Sequence, residues 1–218
     1  MLSAAILAGG QARRFGGRDK GALLVGGRSI RERQLAELAT LTHDILIVGG
    51  GADRPGNEID ETLAEGAPAG RRVADRVPGL GPLGGLHTAL LEAMGDLTIV
   101  IACDMPYVSA PLLGHLSTLA RDADAVVPYT DRGYHPLCAV YARACLEPIA
   151  RRLAAGRLKM TGLFDDVRVR VVAVEELRAF GDVDRLLANV NSPADHRELV
   201  AQHRPQGLQG LQGHQRSS

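Results

Sequence analysis

Aromatic residues are scarce in this 218-residue chain, which has no tryptophan and an aromatic content of only 3%. Proteins that bind single-stranded nucleic acid stack the bases on aromatic side chains, so this scarcity argues against that class. The charges also balance, with 25 basic and 25 acidic residues. No overall field therefore draws the chain to nucleic acid or to an anionic membrane, and any anion site has to be local.

Cysteine and long apolar runs are rare as well. Cys103, Cys138 and Cys145 form no C-x-x-C pair, and this odd count favours reduced thiols over a disulfide framework or a zinc site. No apolar run approaches the roughly 18 residues of a membrane span. The first run stops at Gly9 and has no basic segment before it, so no signal peptide is predicted. We therefore expect a cytoplasmic protein.

Short apolar runs alternate with amphipathic helical patterns, which is typical of βαβ units. We predict one α/β domain over residues 1–203, a three-layer α/β/α Rossmann-like domain with a mostly parallel, mixed sheet. Strands are predicted at residues 4–8, 45–48, 72–74, 97–102, 125–128, 137–141 and 168–174. Helices are predicted at residues 29–41, 82–94, 110–122, 143–155 and 193–202, with serine caps at Ser29, Ser109 and Ser192.

Three segments depart from this alternation. Thr130-Asp-Arg-Gly133 lies between two apolar runs and predicts a hairpin turn, so part of the sheet should be antiparallel. Residues 49–70 are rich in Gly, Pro and acidic side chains, and we expect a mobile loop there. Residues 204–218 are rich in Gln and Gly with few side chains that could pack, which predicts a disordered tail.

The most informative segment follows the first predicted strand and reads Ala8-Gly-Gly-Gln-Ala-Arg-Arg-Phe-Gly-Gly-Arg-Asp-Lys20. Gly9 and Gly10 stand at the strand's carboxyl end, where backbone N–H groups can approach an anion without Cβ obstruction. Arg14 and Lys20 add the charge that a triphosphate requires. The segment predicts a nucleotide-phosphate loop, although it contains neither G-x-x-x-x-G-K-[ST] nor G-x-G-x-x-G.

A second signal is the abrupt end of an apolar strand at Cys103-Asp104-Met105-Pro106. Ligands of open α/β sheets bind beyond the carboxyl ends of the strands, so Asp104 should face the same crevice as Gly9. Because Mg²⁺ prefers one or two carboxylates with phosphate oxygens, we expect Asp104 to bind Mg²⁺; a turn or N-cap aspartate is the alternative. A lone buried carboxylate is costly, so Asp104→Asn should slightly stabilise the ligand-free protein.

These motifs resemble those of the molybdenum cofactor guanylyltransferases, nucleotidyltransferases whose loop reads L-A-G-G-x-x-x-R-M-G-x-x-x-K. Phe15 replaces the Met, and the matching residues are Leu7, Ala8, Gly9, Gly10, Arg14, Gly16 and Lys20. Three further segments match the family. Asp104 lies in its C-D-x-P motif, and residues 81–86 match G-P-L-x-G-L. Residues 189–195 match N-x-N-T-P-E-D, except that Ser192 and Ala194 depart from the pattern. A polar residue common in the family after the second strand is missing at Val48-Gly49-Gly50.

The resemblance implies a Mg²⁺-dependent enzyme that transfers GMP from GTP to the phosphate of the molybdopterin cofactor and releases pyrophosphate. It implies catalytic roles for Arg14, Lys20 and Asp104, and a nucleotide site made of Leu7, Ala8, Gly9, Gly10, Lys20, Asp75 and Asp104. Asn191 is a further candidate for the metal, with a turn or cap role as the alternative. Molybdenum-insertion and molybdoenzyme maturation proteins are the partner proteins it suggests; nucleic acid and membranes are not expected.

Alternatives remain open at this stage. The phosphate motifs fit equally a sister enzyme that uses CTP or another NTP, with molybdopterin or a sugar or polyol phosphate as acceptor. A non-catalytic nucleotide- or partner-binding module is a third alternative, against which the presence of Arg14, Lys20 and Asp104 together argues. His135, in a segment that matches the family's H-P-L-x-x-x-Y, is either a general base or a hydrogen-bonded turn histidine. A phosphate monoester has a second pKa of about 6, so its attack requires no general base.

Overall fold

The computed structural model describes residues 1–8, 20–49 and 69–190, together with residues 192, 194, 195 and 197. Ten strands lie in these residues: β1 (Leu2–Leu7), β2 (Leu24–Val25), β3 (Arg28–Ser29), β4 (Ile45–Val48), β5 (Arg71–Val73), β6 (Leu97–Ala102), β7 (Ala125–Thr130), β8 (Gly133–Tyr134), β9 (Cys138–Ala142) and β10 (Val169–Val172). The α-helices of the same residues are α1 (Ile30–Ala39), α2 (Gly81–Glu92), α3 (Ala110–Thr118), α4 (Leu146–Ala154), α5 (Val174–Leu177) and α6 (Val183–Leu186).

The main sheet is mixed and mostly parallel, as the alternating pattern predicts. Its spatial order among the described residues is β10-β7-β9-β6-β1-β4-β5, with β8 paired to the outer part of β7. The central strand β1 pairs in parallel with β4 and β6, whereas β9 runs antiparallel to both β6 and β7. Thr130 pairs with Gly133 across the predicted hairpin turn, so that prediction is confirmed.

Helices cover both faces of the sheet and form the three predicted layers. On one face the buried side chains of α1 and α3 pack on β1, β4 and β6. On the other face α2 and α4 pack on the alternate residues of the same strands. Because the central strands are covered on both sides, they read as continuous apolar runs, and Ala4, Ala5 and Ile6 have no exposed surface.

Two of the three predicted serine caps are confirmed. Ser29 accepts a hydrogen bond from Glu32 N–H at the start of α1, while the Glu32 carboxylate accepts one from Ser29 N–H. Ser192 and Asp195 exchange the equivalent pair of bonds. Ser109 is different, because its side chain makes no capping bond. The first N–H of α3, at Ala110, is instead bound by the Glu37 carboxylate of α1, 2.7 Å away.

Other differences concern short elements and chain ends. Helix α3 ends at Thr118 and continues as a 3₁₀ turn, and α4 begins at Leu146 after another 3₁₀ turn. Residues 50–68 of the predicted loop at 49–70, the predicted tail at 204–218 and most of the predicted helix at 193–202 lie outside the described residues. No helix within the described part of the chain has the length and apolar character of a membrane span.

Candidate active site

The register of the sheet aligns the carboxyl ends of four neighbouring strands. Leu7, the last residue of β1, is paired with Val48 of β4 on one side and with Ala102 of β6 on the other. Val48 is in turn paired with Val73 of β5. The residues that follow these positions therefore leave the sheet along one edge, which brings the start of the predicted phosphate loop and Asp104 to the same side, as expected.

Lys20 and Asp104 meet at this edge although 84 positions separate them in the chain. The Lys20 ammonium donates to Oδ2 of Asp104 at 2.9 Å, with side-chain exposures of 24% for Lys20 and 13% for Asp104. The other carboxylate oxygen, Oδ1, accepts a hydrogen bond from Asn189 Nδ2 at 2.7 Å. Both oxygens of the carboxylate are thus engaged, and Asp104 is not the lone buried charge that the sequence suggested.

The backbone around Asp104 is fixed by its neighbours in the fold. Cys103 N–H donates to the Leu7 carbonyl, which extends the β1–β6 ladder by one residue beyond the strand. The Asp104 carbonyl accepts a hydrogen bond from Val190 N–H at 2.8 Å. The segment that carries Asn189 is therefore attached to the Asp104 turn by a backbone bond as well as by a side-chain bond.

Asp75 lies beyond the end of β5, in a separate part of the same edge. Its Oδ1 is buried and has no hydrogen-bond partner among the described residues, and burial raises the pKa of this carboxyl. A Cβ added to Gly85 would lie 3.5 Å from Leu7 Cδ1 and 3.9 Å from Asp75 Oδ1. Leu7 and Asp75, both predicted for the nucleotide site, therefore meet here with the segment at residues 81–86 that matches the family.

Asp75 and Asp104 stand at strands that are three positions apart in the sheet. Neighbouring strands are about 4.8 Å apart, so the two strand ends are separated by roughly 14 Å. The two carboxylates therefore cannot be ligands of one metal ion through short side chains. The candidate site residues at this edge therefore form two separate groups, one around Asp75 and Gly85 and one around Lys20 and Asp104.

The donor set around Asp104 is small but fits a magnesium ion on a nucleotide. Among the described residues no group of three or more His, Cys, Asp or Glu side chains converges on one point. Mg²⁺ on a nucleotide needs fewer protein ligands, because one or two carboxylates, phosphate oxygens and water complete its shell. Asp104 offers one carboxylate beside a cation at the strand end, which fits an ion that arrives with a triphosphate.

Of the two alternatives for His135, a general base or a hydrogen-bonded turn histidine, its position fits the second. Its Nε2 lies 2.8 Å from Thr130 Oγ1 across the hairpin. Burial, with a contribution from the positive charge of Arg132, lowers the pKa of His135. The histidine is thus neutral at neutral pH and is occupied by the turn.

The remaining predicted site residues fall on both sides of the end of the first described segment. Gly9, Gly10, Arg14 and Asn191 lie outside the described residues, and their roles stay predictions. Leu7 and Ala8 directly precede the segment predicted to be the phosphate loop, and Ala8 N–H donates to the Val48 carbonyl at 2.7 Å. Asn189 is the contact that sequence reasoning missed. It belongs to the same N-x-N motif as Asn191, so either amide was a candidate on the motif alone.

The strand order and the helices on both faces define a three-layer α/β protein, and its charged cluster lies at the carboxyl edge, where open sheets of this class bind their ligands. The sequence matches the MobA-like NTP transferase domain over residues 4–171, so the chain belongs to that family and is a nucleotidyltransferase.

Known proteins agree with this assignment. A probable molybdenum cofactor guanylyltransferase of Pelotomaculum thermopropionicum is 34% identical over 190 residues, covering 87% of each chain. The crystal structure of molybdopterin-guanine dinucleotide biosynthesis protein A from Archaeoglobus fulgidus is 27% identical with a TM-score of 0.75, covering 92% of this chain and 97% of that one. A 2-C-methyl-D-erythritol 4-phosphate cytidylyltransferase from Thermus thermophilus, at 18% identity, TM-score 0.66 and coverages of 93% and 99%, shares the fold alone.

Proposed function

We propose that this chain transfers GMP from GTP to the terminal phosphate of the molybdopterin cofactor and releases pyrophosphate, with Mg²⁺ on the triphosphate. The observation that supports the proposal most is the contact of Lys20 with Asp104, at 2.9 Å, just beyond the carboxyl end of β6. A cation and a carboxylate at this position match the needs of a magnesium-bound triphosphate. The names of the relatives supply the guanine and the molybdenum cofactor.

In the proposed reaction an oxygen of the acceptor phosphate attacks the α-phosphorus of GTP and forms a new P–O bond. The bond from the α-phosphorus to the oxygen that bridges it to the β-phosphorus breaks, and pyrophosphate leaves with that electron pair. The acceptor is a phosphate monoester whose second pKa is about 6, so it is ionised at neutral pH and needs no base. Catalysis then consists of alignment and charge stabilisation.

Lys20 has the central role in this scheme. Without ligand its ammonium is neutralised by Asp104, and an incoming triphosphate offers it phosphate oxygens instead. Gly9, Gly10 and Arg14 would complete the phosphate site through backbone N–H groups and a guanidinium. Asp104 and Asn189 would hold the metal, which when bound supplies Lewis-acid stabilisation of the leaving pyrophosphate.

The part of the edge around Asp75 is proposed to receive the nucleoside. A half-buried carboxylate with an unpartnered oxygen is a strong acceptor for a ribose hydroxyl or a base N–H group. A side chain at Gly85 would contact Leu7 and lie beside Asp75 Oδ1, so it would compete with a ligand for the space next to this carboxylate. We further propose that the chain works in the cytoplasm and passes its product to proteins of molybdenum insertion and molybdoenzyme maturation.

Incubation with Mg²⁺, molybdenum cofactor and each NTP in turn, with pyrophosphate release as the readout, tests the proposal. We expect release with GTP, and loss of release when a chelator removes the metal. Preference for CTP would identify the cytidylyltransferase sister function. Release with a sugar or polyol phosphate but not with molybdenum cofactor would change the acceptor, and no release with any combination would indicate a binding module.

A further inference from the structure

Gln34 is a polar residue in the apolar stripe of helix α1. It lies one turn after Ile30 and one turn before Leu38, both of which have no exposed surface. Gln34 is itself completely buried. Burying an amide destabilises the fold unless its polar atoms are hydrogen-bonded. Because Ile30 and Leu38, one turn away on either side, are aliphatic, the glutamine at this position is expected to have a specific hydrogen-bonding role.

The Gln34 amide group donates two hydrogen bonds to the turn that carries Asp104. Its Nε2 lies 2.7 Å from the Ala102 carbonyl and 3.0 Å from the Met105 carbonyl. These two carbonyls bracket Cys103-Asp104, so one side chain holds the backbone just before and just after the site carboxylate. The ladder has ended at this point, and the Ala102 carbonyl also accepts a longer hydrogen bond, of 3.4 Å, from Met105 N–H within the turn itself.

Space filling alone does not account for Gln34. Its Oε1 is buried and has no hydrogen-bond partner among the described residues, so the side chain satisfies the turn while leaving one of its own atoms unpaired. A Leu or Met of similar volume would fill the same space without burying that oxygen. The amide group is specifically useful where two carbonyls must be kept at a fixed separation.

The turn is therefore held from two sides. Gln34 fixes the carbonyls on either side of Asp104 from within the core, and Val190 N–H binds the Asp104 carbonyl at 2.8 Å. Asn189 and Lys20 then engage the carboxylate itself. Gln34 reaches this turn from helix α1 and touches no group that we assign to substrate.

We propose that Gln34 is a positioning residue that presents the Asp104 carboxylate to the metal on the nucleotide. This inference rests on the proposed function only through Asp104 as the metal-binding carboxylate. A carboxylate binds a metal ion well only if it is placed within a few tenths of an ångström. A looser turn should therefore lower the affinity for the metal more than it changes the binding of the acceptor.

The test measures metal binding directly. Mn²⁺ is titrated onto protein saturated with GTP, with no acceptor present, and free Mn²⁺ is followed by electron paramagnetic resonance. In Gln34→Met, which keeps the volume and removes both donors, we expect the Mn²⁺ dissociation constant to rise at least about fivefold. In turnover assays the Mg²⁺ concentration for half-maximal rate should rise by a similar factor, while KM for the acceptor changes less than about twofold.

Leu38→Ala is the matched control, because it perturbs the same buried stripe of α1 one turn away, at a side chain that has no hydrogen-bond donor for the carbonyls of the Asp104 turn. It should lower the melting temperature and leave the Mn²⁺ affinity unchanged. If Gln34→Met fails to fold, Gln34→Asn serves as the second variant, since its amide is one methylene too short to bridge both carbonyls, and the same direction is expected.

Mn²⁺ affinity within twofold of wild type in the folded Gln34 variant overturns the inference, as does an equal loss in Leu38→Ala. Absence of nucleotide-dependent Mn²⁺ binding in the wild-type protein overturns it as well. The readout does not depend on the acceptor, so failure of GMP transfer to molybdenum cofactor would contradict the proposed function while leaving this test decisive.

Discussion

Asp104→Asn is expected to destabilise the ligand-free protein, contrary to our expectation from the sequence. The substitution removes the charge from an oxygen that accepts a hydrogen bond from Lys20 at 2.9 Å. Hydrogen bonds to charged groups contribute about 1.5–3 kcal/mol. Because Lys20 and Asp104 remain 24% and 13% exposed, we discount this to about 1–2 kcal/mol. At 2–4 °C per kcal/mol for a domain of this size, the melting temperature should fall by roughly 2–8 °C.

A double-mutant cycle isolates the pair from other effects of each substitution. Lys20→Met, Asp104→Asn and the double variant are unfolded in urea without nucleotide, and we expect a coupling free energy of about 1 kcal/mol. Arg132 and Asp184 form the matched control pair, since their charged atoms are 3.1 Å apart while their side chains are 67% and 84% exposed. That pair should couple by no more than about 0.5 kcal/mol.

A coupling between Lys20 and Asp104 no larger than that of the control pair would refute this reasoning. The contact would then contribute nothing in solution, and the free Asp104 carboxylate would again be the costly group. The same Asp104→Asn protein should lose nearly all nucleotidyl transfer and require much more Mg²⁺ for any residual rate. Normal transfer at the wild-type Mg²⁺ requirement would remove Asp104 from the metal site.

Three further predictions address the rest of the edge. Lys20→Ala should lower kcat/KM by roughly 100-fold, about 3 kcal/mol of lost charge stabilisation, and activity within threefold of wild type in steady-state assays would contradict its role. Burial raises the pKa of Asp75, so its ionised form costs stability above that pKa. Asp75→Asn should therefore raise the melting temperature at neutral pH. It should not do so at about pH 3, where the carboxyl is protonated in the folded and the unfolded protein alike. An equal change in melting temperature at the two pH values would refute this prediction. In thermal denaturation Gly84→Ala should lower the free energy of unfolding by about 1–3 kcal/mol, because its Cβ would lie 2.7 Å from Leu80 Cβ. The added Cβ of Gly85→Ala makes only ordinary contacts, so this variant should fold normally but have a higher KM for GTP.

Much of the fold could be predicted because the sheet is buried on both faces. Strand β4 is an uninterrupted apolar run that ends before Gly49, and β6 is apolar except for Thr98 and ends two residues before Asp104. The bounds of both strands in the sequence and the structure coincide. Strand β8 and helices α5 and α6 were not predicted. They have only two to four residues each, too few to show a period.

The site was predictable in its residue types but not in its contacts. Asp104 and Lys20 were assigned from separate motifs, and their pairing depends on the sheet register between β1 and β6. Asn189 and Asn191 occupy alternate positions of one motif, so only the turn's three-dimensional path selects Asn189 as a contact of Asp104. Ser109 was predicted as the cap of α3, but the first N–H group of that helix donates its hydrogen bond to the Glu37 carboxylate of α1 instead. Such competition between distant groups leaves no local trace in the sequence.

The position of β1 in the sheet has a consequence for the synthesis of the chain. Ala4 pairs with Ile45, 45 − 4 = 41 positions later, and Leu2 pairs with Leu97, 97 − 2 = 95 positions later. At about 5–20 residues per second, a ribosome takes roughly 5–20 s to deliver the second neighbour. Throughout that interval the uncharged strand β1 has at least one unpaired edge, and both of its edges are unpaired until β4 is made. Unpaired edges favour intermolecular pairing. The greatest risk of aggregation therefore falls on the nascent chain, before β6 has emerged.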